Sequence, residues 1–116
     1  MEWLKSTQPH QLHTSIIVMI ELERWGRLKT LRDPVQGQHL TKWFENVVKP
    51  SFSGRVLMID WQIASICADL HVPNPKPEHD ALIAATAMAH QLILVTRNTQ
   101  DFQNIHDLNL LNPFSS

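Results

Sequence analysis

The chain has one cysteine, Cys67, so it can form no internal disulfide, and a cytoplasmic setting is the expectation. It also lacks a long apolar run. The longest, Ala81 to Ala89, is far too short to span a bilayer, and Met1 to Lys5 has no apolar stretch behind it to make a secretory signal. No membrane partner is expected. Positive charge is not in excess: ten Lys and Arg stand against eleven Asp and Glu, for a net charge of −1. That balance does not advertise a nucleic-acid binder, because phosphate binding needs local positive charge, but it does not exclude one. The sequence has no GxGxxG, no P-loop, no HExxH, no internal repeat and no low-complexity tract. A flavodoxin-like binding domain would need a loop that cradles phosphate, and none is found.

What is present suits a single domain, residues 1–116, with one core. Glu2 to Ser6 reads as the end of a helix, stopped near Pro9. Leu12 to Ser15 is a short strand, and a helix follows over Ile16 to Leu31, ending before Asp33-Pro34. A second helix runs from about Gln36 to Val48 and stops at Pro50. Ser53-Gly54 is a turn, and the apolar, β-branched run Arg55 to Ile59 is a buried strand. Trp61 to Leu70 is helical, and Val72 to Glu78, with three prolines, is a loop. Ala81 to Gln91 is a helix, Leu92 to Thr96 a strand, and Leu108 to Leu111 a last strand. Alternating strands and helices, with strands apolar throughout, predict an α/β fold whose parallel sheet is covered on both faces. In such sheets ligands bind beyond the carboxyl ends of the strands.

Three places near those ends carry acidic residues. On the first helix, Val18, Leu22, Trp25 and Leu28 share one face, and Glu21 falls inside that arc at about 100° per residue. Glu23 falls on the opposite side, four residues before Arg27, with which it can pair. A carboxylate on a core-facing stripe should be paired or hold a metal, unless it sits at the sheet edge and reaches water. Asp80 stands before ALIAATAMAH, a run apolar around its circumference and so expected to be buried on most sides. Asp80 is an N-cap on the plain reading, since the helix start favours a carboxylate, and a crevice residue on the functional one. Asn98 and Asp101 follow the strand LILVT; they read either as an ordinary turn or as crevice residues.

Other features are blander. Arg24, Arg27, Lys29 and Arg32 form a basic stretch that reads as a solvated helix face, and Arg97 stands alone. Seven histidines show no pair with zinc-ligand spacing, and scattered surface positions explain them. Cys67 reads as a small core residue. Trp3, Trp25, Trp43 and Trp61 lie on predicted helices and read as core or interface anchors.

Four segments together resemble the PIN-domain ribonuclease toxins of the VapC and FitB type. HTSIIVMIELERWGRL is similar to that family's second strand and following helix. FSGRVLMID, Phe52 to Asp60, resembles its "GRvlpvD" segment. HDALIAATAMAHQLILVTRNTQDF, His79 to Phe102, matches the most specific family motif almost residue for residue, and LNLLNPF, Leu108 to Phe114, resembles the C-terminal one. The resemblance implies a three-layer α/β/α fold with a parallel sheet. It implies Mg²⁺ or Mn²⁺ held by acidic residues, which activates water for attack on an RNA phosphodiester. By motif, Glu21, Asp80 and Asn98 are the catalytic positions, and Glu21, Asp80 and Asp101 are the metal carboxylates. Ser15, Arg24, Thr96 and Arg97 are the positions expected to meet RNA, with Thr96 orienting the turn after its strand. The implied partners are single-stranded RNA, a cognate antitoxin protein and a second copy of the chain.

One family feature is not in the sequence. Members open with a strand reading roughly LLDTNV, whose Asp is a metal ligand, and no DTN occurs here. Met1-Glu2-Trp3-Leu4 already resembles the later helix that leads into the second strand. The expectation is a PIN-like domain without the first central strand, whose neighbours would have unpaired edges. The rival reading is a catalytically inactive PIN-like remnant that binds an antitoxin or dimerises.

Overall fold

In a computed structural model, the structure describes residues 12–96 and 98–112. These fall into two compact units, 12–58 and 59–112. The readings of Glu2 to Ser6, Trp3 and Arg97, and the end of LNLLNPF, lie outside the described residues.

In the first unit, β1 (Thr14–Ser15) pairs parallel with β2 (Val56–Leu57), Thr14 opposite Val56 and Ser15 opposite Leu57. Helix α1 (Ile16–Arg32) starts at once, because the Ser15 backbone is extended and its Oγ accepts the Val18 N–H at 3.2 Å. Asp33 ends that helix and begins the next. Its N–H closes on the Lys29 carbonyl at 2.8 Å, while its Oδ1 accepts the Gln36 N–H at 3.2 Å. Pro34 then occupies the first turn of α2 (Pro34–Trp43), where its missing N–H costs nothing.

The second helix was expected to stop at Pro50, and it does not. A π-helical turn, Phe44–Val48, carries it into a last turn, Lys49–Ser51. There Lys49 N–H reaches back five residues to the Phe44 carbonyl, and this wider turn relieves the clash a proline ring meets in an α-helix. The π turn keeps Phe44 and Val48 on one side, and they bury against Met19 with Ile16, Leu22, Phe52 and Val56 around them. Gly54 follows at φ +79°, a conformation that glycine adopts without strain.

The buried side of α1 differs from the expected arc. Met19, Leu22 and Gly26 face the partner helix, whereas Trp25 is 51% and Leu28 55% exposed. The reason is the contact with α2, which needs small residues: Gly26 lies under Leu40 and Thr41, and Gly37 lies against the Thr30 backbone. A bulky Trp25-Leu28 stripe could not approach so closely.

In the second unit, Asp60 Oδ1 accepts the Ile63 N–H at 2.9 Å and opens α3 (Trp61–Leu70). After a loop with prolines at 73, 75 and 77, α4 runs over Glu78–Ala89. As expected, this helix is buried on most sides: Ala81, Ala84 and Ala85 are fully covered, and Thr86 and Ala87 nearly so. Ala81 and Ala85 pack on Ile63 and Cys67 of α3. Ala84 packs on Phe102 and Ile105, with Leu94, Leu108 and Leu110 beside them. The last two come from the segment that forms β4 (Asn109–Leu111), which pairs parallel with β3 (Ile93–Val95). A 3₁₀ turn, Thr99–Phe102, lies between the strands.

Among the described residues strand pairing is parallel, as the apolar runs predict, but it forms one two-stranded pair in each unit. The strands are also shorter and less covered than expected. Only Val56–Leu57 and Ile93–Val95 enter ladders; Met58, just past the first, is 62% exposed, and Ile93 is 58% exposed even within the second. Trp43 and Trp61 are exposed too, so among the described tryptophans none is a core anchor. No described helix is long and apolar enough to cross a membrane.

The glycine contacts give a test. A Cβ on Gly37 would overlap the Thr30 hydroxyl and its Cα, so Gly37→Ala should cost about 1–3 kcal/mol or more. A Cβ on Gly26 meets nothing nearer than 3.5 Å, so Gly26→Ala should be neutral or gain up to about 1 kcal/mol from helix propensity. Urea midpoints of the two variants against the parent check both signs.

Candidate functional site

Each unit holds part of the acidic set. In the first, Ser15 is buried and its hydroxyl serves as the cap of α1. Glu21, half-buried, lies one turn after the buried Ile17 and so on its side of the helix, away from the Met19–Gly26 contact. Trp25 and Leu28 continue that side four and seven residues on, so the arc with Glu21 stands, but its Trp25–Leu28 end is exposed instead of core-facing. Arg24 is exposed three residues on. Glu23 behaves as expected, accepting a hydrogen bond from Arg27 at 3.2 Å on the surface.

In the second unit, Asp80 is not the N-cap. Pro77 is, with no side-chain bond, and Asp80 is the third residue of α4, half-buried in its first turn beside Glu78. The unpaired N–H groups and dipole there favour both carboxylates. The helix begins earlier than expected because a proline just before it is pre-set for the approach and loses no bond. Asp80 is one turn before Ala84, and Ala84 packs under Phe102. Asp80 is thus on the side of α4 that meets the 3₁₀ turn carrying Asp101. Asp101 is exposed, and its N–H closes on the Asn98 carbonyl at 3.1 Å. Asn98 is exposed and donates its own N–H to Thr96 Oγ1 at 3.1 Å. Thr96 therefore fixes the turn after β3, one element away from the start of α4. Asp80, Asn98 and Asp101 offer carboxylate and amide oxygens only, the hard donor set that suits Mg²⁺ or Mn²⁺.

The sequence reading missed a second group. Cys67, His71 and Glu78 bring a sulfur, an imidazole nitrogen and a carboxylate oxygen within 4.8 Å of one another. Cys67 is buried, as a small core residue should be, but its Sγ lies 3.8 Å from Glu78 Oε1. Burial, with the neighbouring Glu78 carboxylate, raises the thiol above its ordinary pKa. The signal in the sequence is the i, i+4 spacing of Cys67 and His71. Glu78 could not be read this way, because only the fold of the proline loop returns it to α3.

A profile of the PIN domain matches residues 1–108. VapC ribonuclease Y4jK of Sinorhizobium fredii is 29% identical over 119 residues, 98% of this chain and 83% of that protein. FitAcB from Neisseria gonorrhoeae is similar in structure, with a TM-score of 0.87 at 29% identity, over 99% of this chain and 84% of the matched one. FitAB bound to an IR36 DNA fragment is similar at a TM-score of 0.86 and 28% identity, over 99% and 82%.

The turn after β3 can be tested apart from any activity. Thr96→Val keeps the shape and removes the acceptor for Asn98 N–H, and should cost about 0.5–1.5 kcal/mol. Thr96→Ser should recover most of it. Denaturant unfolding of the three proteins decides, and equal stability of all three would show that the turn holds without the hydroxyl.

Proposed function

Because the chain belongs to the PIN-domain family, we propose that it is a metal-dependent endoribonuclease, the toxin of a type II toxin–antitoxin pair. The α/β fold with parallel strand pairs agrees with that family. The observation that carries the reading is local to the second unit: Asp80 shares a face of α4 with Ala84, which packs under the turn bearing Asp101.

In this reading Asp80 and Asp101 hold Mg²⁺ or Mn²⁺ with the Asn98 amide, and Glu21 is a further carboxylate by its ELERWG motif. When bound, such an ion polarises water and offsets charge on the phosphodiester. Thr96 keeps Asn98 in place through its backbone. Arg24 and Arg97, with Ser15 and Thr96, are the side chains assigned to the RNA; exposed Arg24 supplies positive charge that the chain as a whole lacks. Single-stranded RNA is the substrate class, since its backbone and bases are open to attack. The partners are a cognate antitoxin protein and a second copy of the chain. FitAB and FitAcB, similar over nearly all of this chain, support that assignment. The place of action is the cytoplasm.

Two experiments test the proposal. Glu21→Gln should lower RNA cleavage in Mn²⁺ by roughly 100-fold or more, while Glu23→Gln, which removes only an exposed ion pair, should leave it unchanged. Equal rates for the parent and the Glu21 variant would sink the assignment, and a folded parent that cleaves no RNA would favour the inactive binding module. Independently, Mg²⁺ should raise the melting temperature through linkage, and the rise should shrink in Asp80→Asn. An undiminished rise in that variant would leave Asp80 only its part at the helix start.

A further inference from the structure

Cys67 and His71 stand one turn apart along the same side of α3, His71 being the residue that ends the helix. Glu78, the first residue of α4, comes back to them across the loop of Pro73, Pro75 and Pro77. Its Oε1 is 3.8 Å from Cys67 Sγ and its Oε2 is 3.4 Å from His71 Nε2. A tetrahedral ion with a metal–sulfur bond of about 2.3 Å and metal–nitrogen or –oxygen bonds of about 2.0 Å spaces its ligand atoms roughly 3.3–3.6 Å apart. The two separations, one to each Glu78 oxygen, are close to those edges, and with one donor atom from each residue the three lie within 4.8 Å, so closing on an ion takes a side-chain adjustment of about 1 Å.

A second observation points the same way. His71 Nε2 is buried and has no hydrogen-bond partner; the 3.4 Å approach to Glu78 is an ion-pair distance, not a satisfied bond. Buried polar nitrogens are rarely left so, because the lost hydration is not replaced. The nitrogen that lacks a hydrogen bond is the one that approaches the Glu78 carboxylate, and Glu78 also reaches the sulfur.

We propose that Cys67, His71 and Glu78 form a binding site for a thiophilic divalent cation of the Zn²⁺ class, with a fourth position open to water. The donor set selects this class: one thiolate, one imidazole and one carboxylate suit Zn²⁺ or Co²⁺, whereas Mg²⁺ takes oxygen alone. None of these residues is among those assigned to Mg²⁺ above. Binding releases the Cys67 thiol proton to solvent and leaves the thiolate on the metal. It also carries a cost at His71. The Lys76 N–H donates to Nδ1 at 3.1 Å, which keeps the metal-free ring's proton on Nε2. Coordination through Nε2 moves that proton to Nδ1, so the Lys76 N–H must turn away within its loop. The ion then ties the start of α4 to the end of α3 through side chains.

The test is a Co²⁺ titration of the metal-free full chain, with folding followed by circular dichroism. A near-ultraviolet sulfur-to-cobalt charge-transfer band and tetrahedral visible bands should grow to one equivalent, and Zn²⁺, but not excess Mg²⁺, should remove them. Cys67→Ser should abolish the charge-transfer band. Because Cys67 is buried and its replacement can disturb packing, Glu78→Gln is the deciding variant: the Glu78 side chain is 69% exposed. It and His71→Gln should each weaken binding by roughly tenfold or more, since losing even an outer-shell partner has that effect. Asp80→Asn should leave the band unchanged. The proposal is overturned if the folded parent gives no charge-transfer band. It is also overturned if the band keeps its affinity in both Glu78→Gln and His71→Gln, which would mean that the thiol alone takes the ion.

Discussion

A helix whose contact residues carry only methyl groups can be approached closely from more than one side, and the second unit is organised around that permission. Ala81 and Ala85 let α3 lie close on one flank, and Ala84 receives Phe102 and Ile105 on another. Close packing of this kind leaves little slack, since interiors respond to changes of a single methylene. The start of α4 is therefore fixed relative to both α3 and the turn after β3. Every functional reading of this unit, of Asp80 toward the turn and of Glu78 toward α3, follows from where those alanines put the helix.

The first unit uses the same physics with glycine and threonine. Gly37 meets the Thr30 backbone and Gly26 lies under Thr41, so α1 and α2 come together along a line of small residues. This explains why hydrophobic spacing misdirected the reading of α1. Val18, Leu22, Trp25 and Leu28 make a regular apolar arc, but periodicity counts apolar residues and cannot see which side admits a partner at short range. Glu23 needed only local spacing, and its pairing with Arg27 was legible for that reason.

The same distinction separates what the sequence disclosed elsewhere from what it did not. Helix α3 has the bounds expected of it, Trp61–Leu70, because its signals are local to the segment. The start of α4 was misplaced by its reading as an Asp80 cap, since a proline can precede a helix as well as an aspartate can. Strand lengths were overestimated, because an apolar run says what could pair and not how many residues do. The family motifs single out Glu21, Asp80, Asn98 and Asp101, and in the turn after β3 the Thr96 hydroxyl accepts the Asn98 N–H. The meeting of Cys67, His71 and Glu78 was beyond reach, because it depends on the path of the intervening loop.

Asp33 has a consequence of another kind. One residue closes α1 with its backbone N–H and opens α2 with its carboxylate, with Pro34 locked next to it. The joint between these helices has no spare length. An added residue there would separate the two duties, leaving one helix end unsealed and sliding Gly37 off Thr30. The corner tolerates no change of length that would not undo one of the two helix ends.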